Sequence, residues 1–249
     1  MEKLKGKTAL ITGGSSGIGE ACAQLFMSEG ANVIIASRNE KRGYEAEERL
    51  NRIADGGVKA QYVKCDVTNA SDIDHMKCYI DRYYPGLDIL VNNAGMLKTA
   101  ALEEITGEDW DVVYDTNVKS VMRVTQRFVD ILESNHGTIL NNASINGLHS
   151  YIKGKRSYMY ATSKSALIQL TKYLAKNYAP NIRVNCLCPG MTVTNLFTNR
   201  DFSRFKECNL LGRMASPIEI AKVALFLVSD DASFMTGSVV VADGGESLL

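Results

Sequence analysis

Short apolar runs alternate with longer stretches of helical periodicity along the whole chain. The runs predict strands at Thr8–Thr12, Asn32–Ser37, Ala60–Val67, Leu87–Val91, Thr138–Asn141, Ile182–Cys188 and Ser238–Ala242. The stretches between them predict helices over Gly17–Ser28, Lys41–Ala54, Ala70–Tyr83, Glu108–Glu133, Tyr158–Ala179 and Pro217–Val228. Strand–helix alternation favours a parallel sheet with helices on both faces. Right-handed crossovers then make it a doubly wound, Rossmann-type α/β fold of about seven strands.

Length and charge narrow the class of protein. The 249 residues are 45% hydrophobic, which suits one domain over residues 1–249 with a sizeable core. The 28 basic and 28 acidic residues balance, so no net charge favours nucleic acid or an anionic membrane as a partner. The irregular stretch 192–212 follows a strand, where ligands bind in such folds, and we expect it to be a substrate lid.

Cysteines and histidines give no sign of a metal site or a disulfide framework. No cysteine belongs to a C-x-x-C motif, and His75, His136 and His149 are isolated, so we expect no metal site. Cys186 and Cys188 share one face of a predicted strand but lie too far apart for an easy disulfide. Reduced thiols, with neither a signal peptide nor a spanning apolar run, predict a cytoplasmic protein.

A glycine-rich turn follows the first predicted strand. The segment TGGSSGIG, residues 12–19, places Gly13, Gly17 and Gly19 in a G-x-x-x-G-x-G pattern. Glycines permit a tight turn and a close approach of backbone to ligand, and the next helix offers its N-terminus to a pyrophosphate. Taken alone, the segment is also compatible with an ordinary turn before a helix.

A tyrosine and a lysine stand four positions apart in SYMYATSK, residues 157–164. On a helix, Tyr160 and Lys164 are neighbours on one face, whereas Tyr158 points elsewhere. A cation beside a phenol favours the phenolate, so we expect a lowered pKa for Tyr160 and proton transfer near neutral pH. The structural alternative is an ordinary amphipathic pair on a helix surface.

Eight motifs follow one another along the chain: TGGSSGIG (12–19), CDV (65–67), NNAG (92–95), Asn117 in DTNV, Ser144 in NNASINGL, YATSK (160–164), NCLCPG (185–190) with Thr194 after it, and VADGG (241–245). Each is modest alone, but the full set in register is specific. With this set, nearly the whole chain, Lys7 to Gly245, resembles the short-chain dehydrogenase/reductase family.

The resemblance implies a catalytic set for hydride transfer between a nicotinamide and a carbonyl carbon. Tyr160 would protonate the carbonyl oxygen, Ser144 would hydrogen-bond it, Lys164 would hold the nicotinamide ribose, and Asn117 would hold a water linking Lys164 to solvent. The implied cofactor-binding residues are Gly13, Ser15, Ser16, Gly17, Ile18, Gly19, Ser37, Arg38, Asn39, Asp66, Val67, Asn93, Ala94, Gly95, Tyr160, Lys164, Pro189, Gly190, Thr192 and Thr194.

The residues after the second strand predict NADP(H) rather than NAD. An acidic residue there binds the ribose 2′-hydroxyl of NAD, whereas a basic one meets the 2′-phosphate of NADP. This chain has Ser37, Arg38 and Asn39, with no carboxylate at position 37, and the guanidinium of Arg38 suits a phosphate. An exposed arginine at a strand end is the alternative. Many NADP-using relatives also carry a basic residue in the glycine turn, where this chain has Ser16.

The substrate is less well indicated. Apolar residues of the lid (Leu196, Phe197, Phe202, Phe205, Leu210 and Leu211), with Met96, Leu97 and Met191, suit a secondary alcohol or ketone that is alicyclic or steroid-like. A 3-oxoacyl-thioester reductase of fatty-acid synthesis is the main rival, although MLKTAALEEI after NNAG is unlike the usual loop of that group. The basic loop with His149, Lys153, Lys155 and Arg156, and with Tyr151 and Ile152 among them, either contacts an anionic substrate end or is simply solvated.

Two further expectations concern class and assembly. A non-catalytic NADP-binding sensor on this fold would have lost the tyrosine, lysine or serine, and all three are present. The resemblance implies a homotetramer or homodimer, in which the helices at 108–133 and 158–179 pair across a twofold axis and the C-terminal VVVADGGESLL forms a second interface.

Overall fold

Seven parallel strands form one sheet in the computed structural model, which describes residues 2–148, 157–194 and 208–249. The strands are β1 (Thr8–Thr12), β2 (Asn32–Ser37), β3 (Ala60–Lys64), β4 (Ile89–Asn92), β5 (Thr138–Asn142), β6 (Arg183–Pro189) and β7 (Val239–Ala242). They pair in the order β3-β2-β1-β4-β5-β6-β7, and every pairing is parallel. The predicted doubly wound sheet is confirmed.

Helices cover both faces of this sheet. They are α1 (Gly17–Ser28), α2 (Glu40–Arg52), α3 (Ala70–Tyr83), α4 (Gly107–Tyr114), α5 (Ser120–Ser134), α6 (Tyr158–Tyr178) and α7 (Pro217–Val228). The core on one face joins α1, α2 and α7 to the strands. On the other face α3, α5 and α6 close the core, with Phe128 of α5 fully buried. The five strands inside the sheet are mostly buried and read as nearly continuous apolar runs, whereas the edge strands β3 and β7 are only partly buried.

The carboxyl edge of the sheet collects the motif residues. The glycine turn follows β1, the segment Asn93–Gly95 follows β4, Ser144 follows β5, and Gly190 follows β6. Parallel strands end at the same edge, and the direction of the crossovers reverses between β1 and β4. Such a switch point is where open α/β sheets form a ligand crevice.

Two predicted elements differ from the structure, and the others agree to within two residues at each end. The predicted helix Glu108–Glu133 is interrupted by a π-helical turn, Asp115–Lys119. The predicted strand Ala60–Val67 ends at Lys64, because the Asp66 carboxylate turns the chain by accepting hydrogen bonds from the amide and hydroxyl of Thr68, at 2.9 and 2.7 Å.

The two neighbouring cysteines of β6 lie in the core. The Sγ atoms of Cys186 and Cys188 are 4.0 Å apart, and both side chains are free thiols with no exposed surface. That distance is about twice the length of an S–S bond, so the two thiols are not bonded to each other.

In the described ranges, no helix has the length and apolar character needed to cross a membrane.

Candidate active site

The glycine turn between β1 and α1 is shaped by close backbone contacts. Gly17 has φ of +57°, a conformation that only glycine adopts readily. A Cβ on Gly19 would lie 2.4 Å from the carbonyl oxygen of Gly13, so no side chain fits there. Ser16 precedes the helix, but its side chain makes no capping hydrogen bond. The first amides of α1, from Gly17 to Gly19, therefore remain available to an anionic ligand.

The segment after β4 is tied to this turn by hydrogen bonds. The hydroxyl of Thr12 accepts from the amides of Asn93 and Ala94, at 3.0 and 3.1 Å. The Nδ2 atom of Asn93 donates to the carbonyls of Thr12 and Gly13, at 3.1 and 3.2 Å. Asn93 thus links the glycine turn after β1 to the segment after β4 and fixes their relative positions.

A cavity of about 180 Å³ opens on this edge of the sheet, between the ends of β1, β2 and β3. Nine of the predicted cofactor residues line it: Gly13, Ser15, Ser37, Arg38, Asn39, Asp66, Val67, Ala94 and Gly95. The remaining predicted cofactor residues do not line this cavity: they lie in the turn that begins α1, after β4 (Asn93), on α6, and at and after the end of β6.

The cavity is basic at the end of β2. Arg38 and Arg42 both line it, and neither guanidinium forms an ion pair with a carboxylate of the described residues. The nearby carboxylate of Glu40 pairs instead with Lys64, at 3.3 Å. The Oγ of Ser37 is buried and has no hydrogen-bond partner within the described part of the chain. This corner therefore offers a hydroxyl and two cations to a ligand.

Tyr160 and Ser144 are brought together by α6 and the turn after β5. Ser144 begins the turn Ile145–Gly147, and its side chain lies near enough to the Tyr160 hydroxyl to act on the pKa of that group. Burial raises the pKa of Tyr160 above its ordinary value, while the hydrogen bond from Ser144 opposes that rise. The expected lowering of this pKa by the lysine is therefore wrong for the protein alone.

Lys164 lies beneath the tyrosine rather than beside its hydroxyl. Its Nζ is 5.7 Å from the centre of the Tyr160 ring and donates to the backbone oxygen of Asn142, at 2.8 Å. Only 5% of the residue is exposed, and this burial lowers the pKa of Lys164 to about 8. The predicted i, i+4 neighbourhood is confirmed, but the two polar groups do not touch.

Asn117 occupies the π-helical turn and has no exposed surface. Its Oδ1 accepts from the amide of Met96 at 2.9 Å, and its Nδ2 donates to Met96 O and to Ser163 Oγ, both at 3.0 Å. Ser163 in turn donates to the carbonyl of Tyr160, at 2.7 Å. Asn117 thus joins the loop after β4 to helix α6, and π-helical turns often mark functional sites.

The chain after β6 is held from the C-terminus. Glu246 is 1% exposed, and its Oε2 accepts from the amide of Met191, at 2.9 Å. Thr192 forms a parallel bridge with Ala215. Thr194 lies over the glycine turn, because a Cβ on Gly17 would be 3.2 Å from its Cγ2. The buried Oγ1 of Thr194 has no partner among the residues that the structure describes.

Parts of the predicted substrate region lie outside the described residues. These are residues 149–156 of the basic loop and residues 195–207 of the expected lid. Of the apolar residues expected at the pocket, Met96, Leu97 and Met191 are half-buried, and Leu210 and Leu211 are exposed.

A family model described as Enoyl-(Acyl carrier protein) reductase matches residues 13–247. A solved structure from Mycobacterium marinum, titled as a short-chain type dehydrogenase/reductase, superposes with a TM-score of 0.93 at 33% identity, covering 100% of this chain and 98% of that one. The chain belongs to the short-chain dehydrogenase/reductase family. Members of this family are oxidoreductases that act on CH–OH groups with a nicotinamide cofactor bound to the Rossmann-like sheet.

Relatives within the family have different substrates in their names. The 3-oxoacyl-[acyl-carrier-protein] reductase of Thermotoga maritima is 39% identical, and the cyclopentanol dehydrogenase of a Comamonas species is 37% identical; each alignment covers 98% of both chains. The L-sorbose reductase of Gluconobacter frateurii, solved with NADPH and L-sorbose, superposes with a TM-score of 0.91 at 32% identity, over 99% of this chain and 98% of that one.

Five residues that line the cavity were not assigned to the site from the sequence: Ala36, Arg42, Cys65, Thr68 and Thr116. Met96 also lines it, although the sequence placed Met96 at the substrate pocket. Arg42 lies in the first turn of α2, and only the fold places it beside Arg38 in the cavity. Thr116 and Met96 reach the site only because the family's motif residues beside them, Asn117 and Gly95, are folded together. No local pattern marks Thr68, which lies there because it binds the carboxylate of Asp66.

Proposed function

We propose that this member of the family is an NADP(H)-dependent enzyme that interconverts a secondary alcohol and a ketone on a hydrophobic alicyclic substrate, including steroid-like ones. One observation carries the proposal: Ser144, Tyr160 and the buried Lys164 lie together at the sheet edge that also holds the glycine turn.

Buried polar atoms without partners support the fit of a dinucleotide. Two of them, Ser37 Oγ and Thr194 Oγ1, belong to the predicted cofactor residues at the ends of β2 and β6. Buried hydroxyls normally find a partner, so each is suited to a ligand group. The glycine turn would hold the pyrophosphate. Pro189, Gly190 and Thr192, with Thr194, would hold the carboxamide end.

The basic corner of the cavity supports NADP(H) over NAD(H). Arg38 and Arg42 present two guanidiniums without carboxylate partners in the described chain, beside the unpaired Ser37 hydroxyl. A phosphate with a charge near −2 matches this set, whereas a neutral ribose hydroxyl leaves both cations uncompensated.

The residues of the site divide the proton chemistry among them. A nicotinamide bound in the crevice would supply or accept the hydride at the carbonyl carbon of the substrate. Tyr160 gives its phenolic proton to the carbonyl oxygen during reduction and takes it back during oxidation, and Ser144 holds that oxygen by a hydrogen bond. Lys164 orients the ribose and brings positive charge below the ring. Asn117 anchors α6 through Ser163, so the tyrosine keeps its position.

Half-buried apolar side chains support an apolar substrate. Met96 and Leu97 follow β4 and Met191 follows β6, and all three are half-buried. Methionine-rich walls adapt to varied apolar shapes. The relative named cyclopentanol dehydrogenase supports an alicyclic substrate. A second candidate, 3-oxoacyl-thioester reduction, is supported by the similarly close relative from Thermotoga maritima.

Residues 192–212 are proposed as a lid within a single 1–249 domain. Its two ends are anchored, by the bridge between Thr192 and Ala215 and by the amide of Leu211, which donates to Gly244 O at 3.2 Å.

The assembly is proposed as a homotetramer or homodimer, and a purely monomeric species in light scattering would contradict it.

The reaction and its residue roles are tested with purified protein and a panel of alicyclic ketones, steroid ketones and a 3-oxoacyl thioester, each with NADPH and NADH. Turnover of cyclic ketones is expected. Turnover of the thioester alone would instead support the second candidate function, 3-oxoacyl-thioester reduction.

Tyr160→Phe should lower kcat by about 100-fold or more while NADPH binding persists. Tyr158→Phe, at the exposed neighbouring tyrosine, is the control. Full activity of Tyr160→Phe would refute the assignment, and tight NADPH binding with no turnover of any substrate would favour a sensor.

The cofactor preference is tested by reversing one charge. Arg38→Asp should shift the ratio of kcat/KM towards NADH by about tenfold or more, since a carboxylate repels the 2′-phosphate. Lys41→Asp makes the same charge change in α2, at an exposed residue that does not line the cavity. An unchanged ratio for Arg38→Asp, or an equal shift for both variants, would refute the phosphate role of Arg38.

A further inference from the structure

Asn142, the last residue of β5, has a side-chain orientation determined by its neighbours. The Nδ2 of Asn93 already donates to two carbonyls of the glycine turn, so its Oδ1 is left as an acceptor. The Nδ2 of Asn142 donates to that Oδ1, at 2.8 Å. A flipped amide would place two oxygens against each other. The Oδ1 of Asn142 must therefore point away from Asn93.

That Oδ1 atom is buried and has no hydrogen-bond partner in the part of the chain that the structure describes. An unsatisfied buried acceptor costs about 1–3 kcal/mol, and native proteins avoid it unless a water or ligand supplies the donor. Two other such atoms, Ser37 Oγ and Thr194 Oγ1, belong to residues that the proposed function assigns to the cofactor. Asn142 Oδ1 is not assigned by the motifs or by the proposed mechanism.

The position of Asn142 indicates which part of a dinucleotide would meet it. Its backbone oxygen accepts from Lys164 Nζ at 2.8 Å, and Lys164 lies under Tyr160. Its side chain adjoins Asn93, which contacts the glycine turn. It does not line the cavity that contains Arg38 at the other end of the site. Asn142 therefore lies between the pyrophosphate turn and the catalytic set, on the side of the nicotinamide riboside.

We propose that Asn142 is a cofactor-binding residue whose Oδ1 accepts a hydrogen bond from the nicotinamide-riboside half of the cofactor. The donor is an N–H of the carboxamide or a hydroxyl of the ribose. This inference rests on the proposed function, because it requires a nicotinamide dinucleotide in the crevice. The competing occupant is a resident water, which would satisfy Oδ1 without any contribution to cofactor affinity.

The test compares the dissociation constants of NADPH and of 2′,5′-ADP, which lacks the nicotinamide riboside, by calorimetry. Asn142→Leu has a similar volume and no polar atoms, and Asn142→Ser is a second variant with a smaller change in polarity. We expect both variants to bind NADPH about 3-fold to 30-fold more weakly, as for the loss of one hydrogen bond. Binding of 2′,5′-ADP should stay within about twofold of the wild type, which also verifies that the variant is folded.

Two results would overturn the proposal. Unchanged NADPH affinity in both variants would assign Oδ1 to a resident water. An equal loss of affinity for both ligands would mean that Asn142 acts only through Asn93 on the glycine turn. Failure of the proposed function is a distinct result, because it would appear in the wild-type protein itself, as absent turnover or as absent binding of both NADPH and NADH.

Discussion

Burial of Lys164 makes a quantitative prediction about stability and pH. Its pKa falls from 10.5 to about 8 because the ammonium group is removed from water. One pKa unit corresponds to 1.36 kcal/mol, so the buried charge costs about 3 kcal/mol at pH 7, where the lysine is charged in both the folded and the unfolded chain. The hydrogen bond from Lys164 to Asn142 O offsets about 1–2 kcal/mol of the cost of burying the charge.

Lys164→Met keeps the length of the side chain and removes the charge. In the absence of cofactor we expect this variant to be more stable than the wild type by about 1–2 kcal/mol at pH 7. The sign of the pH dependence follows from proton binding. Between pH 8 and pH 10.5 the unfolded chain holds more protons at this site than the folded protein, so wild-type stability rises with pH. The stability of the variant does not rise in this way. The free energy of unfolding of Lys164→Met, relative to that of the wild type, should therefore fall by about 2–3 kcal/mol between pH 7 and pH 10.

Urea unfolding of both proteins at pH 7 and pH 10 measures the two differences. Lys172→Met is the control, because Lys172 is an exposed lysine of the same helix. We expect the stability of the control to differ from the wild type by less than about 0.5 kcal/mol at both pH values. If the difference for Lys164→Met is the same at pH 7 and pH 10, the lysine is not desolvated and the reasoning is wrong.

Two further predictions concern positions that shape the site. A Cβ on Gly147 would lie 2.7 Å from the carbonyl carbon of Lys164, so Gly147→Ala should destabilise the fold by about 1–3 kcal/mol and lower kcat. Gly107→Ala, where nothing lies within 4 Å, should stay within about 1 kcal/mol of the wild type in the same unfolding assay; equal losses would contradict the contact. Glu246→Ala should lower the free energy of unfolding by about 1–3 kcal/mol, because the amide of Met191 loses its acceptor. Glu246→Gln, which keeps an oxygen there, should lose less, and calorimetric unfolding that ranks the two variants in the opposite order would refute this role.

Local chemistry explains why much of the fold was predictable. Seven parallel strands were expected because short apolar runs alternate with helical stretches, and the five strands inside the sheet are mostly buried. The glycine turn was expected because only glycine tolerates the positive φ of Gly17 and the contact at Gly19. Tyr160 and Lys164 were paired from the helical repeat alone.

Two features depended on the assembled structure. Helical periodicity continues through Asp115–Lys119, and the π-helical turn forms there while Asn117 bonds Met96 and Ser163, which are distant in sequence. The pKa of Tyr160 depends on how deeply the ring is buried, which no spacing reports. The four-residue spacing indicates that Lys164 lies near Tyr160. Desolvation of the phenol, by contrast, depends on all the atoms that pack around it in the folded protein.

The sequence by itself determined the succession of strands and helices along the chain and the positions of the motif residues. These follow from residue type and from spacings of a few positions. Only the tertiary structure decided that Arg42 joins Arg38 in the cavity, that Glu246 holds Met191, and that Asn142 is left with an unpaired oxygen. Each of these depends on which atoms meet after the chain has folded, and on which of them are left without a partner.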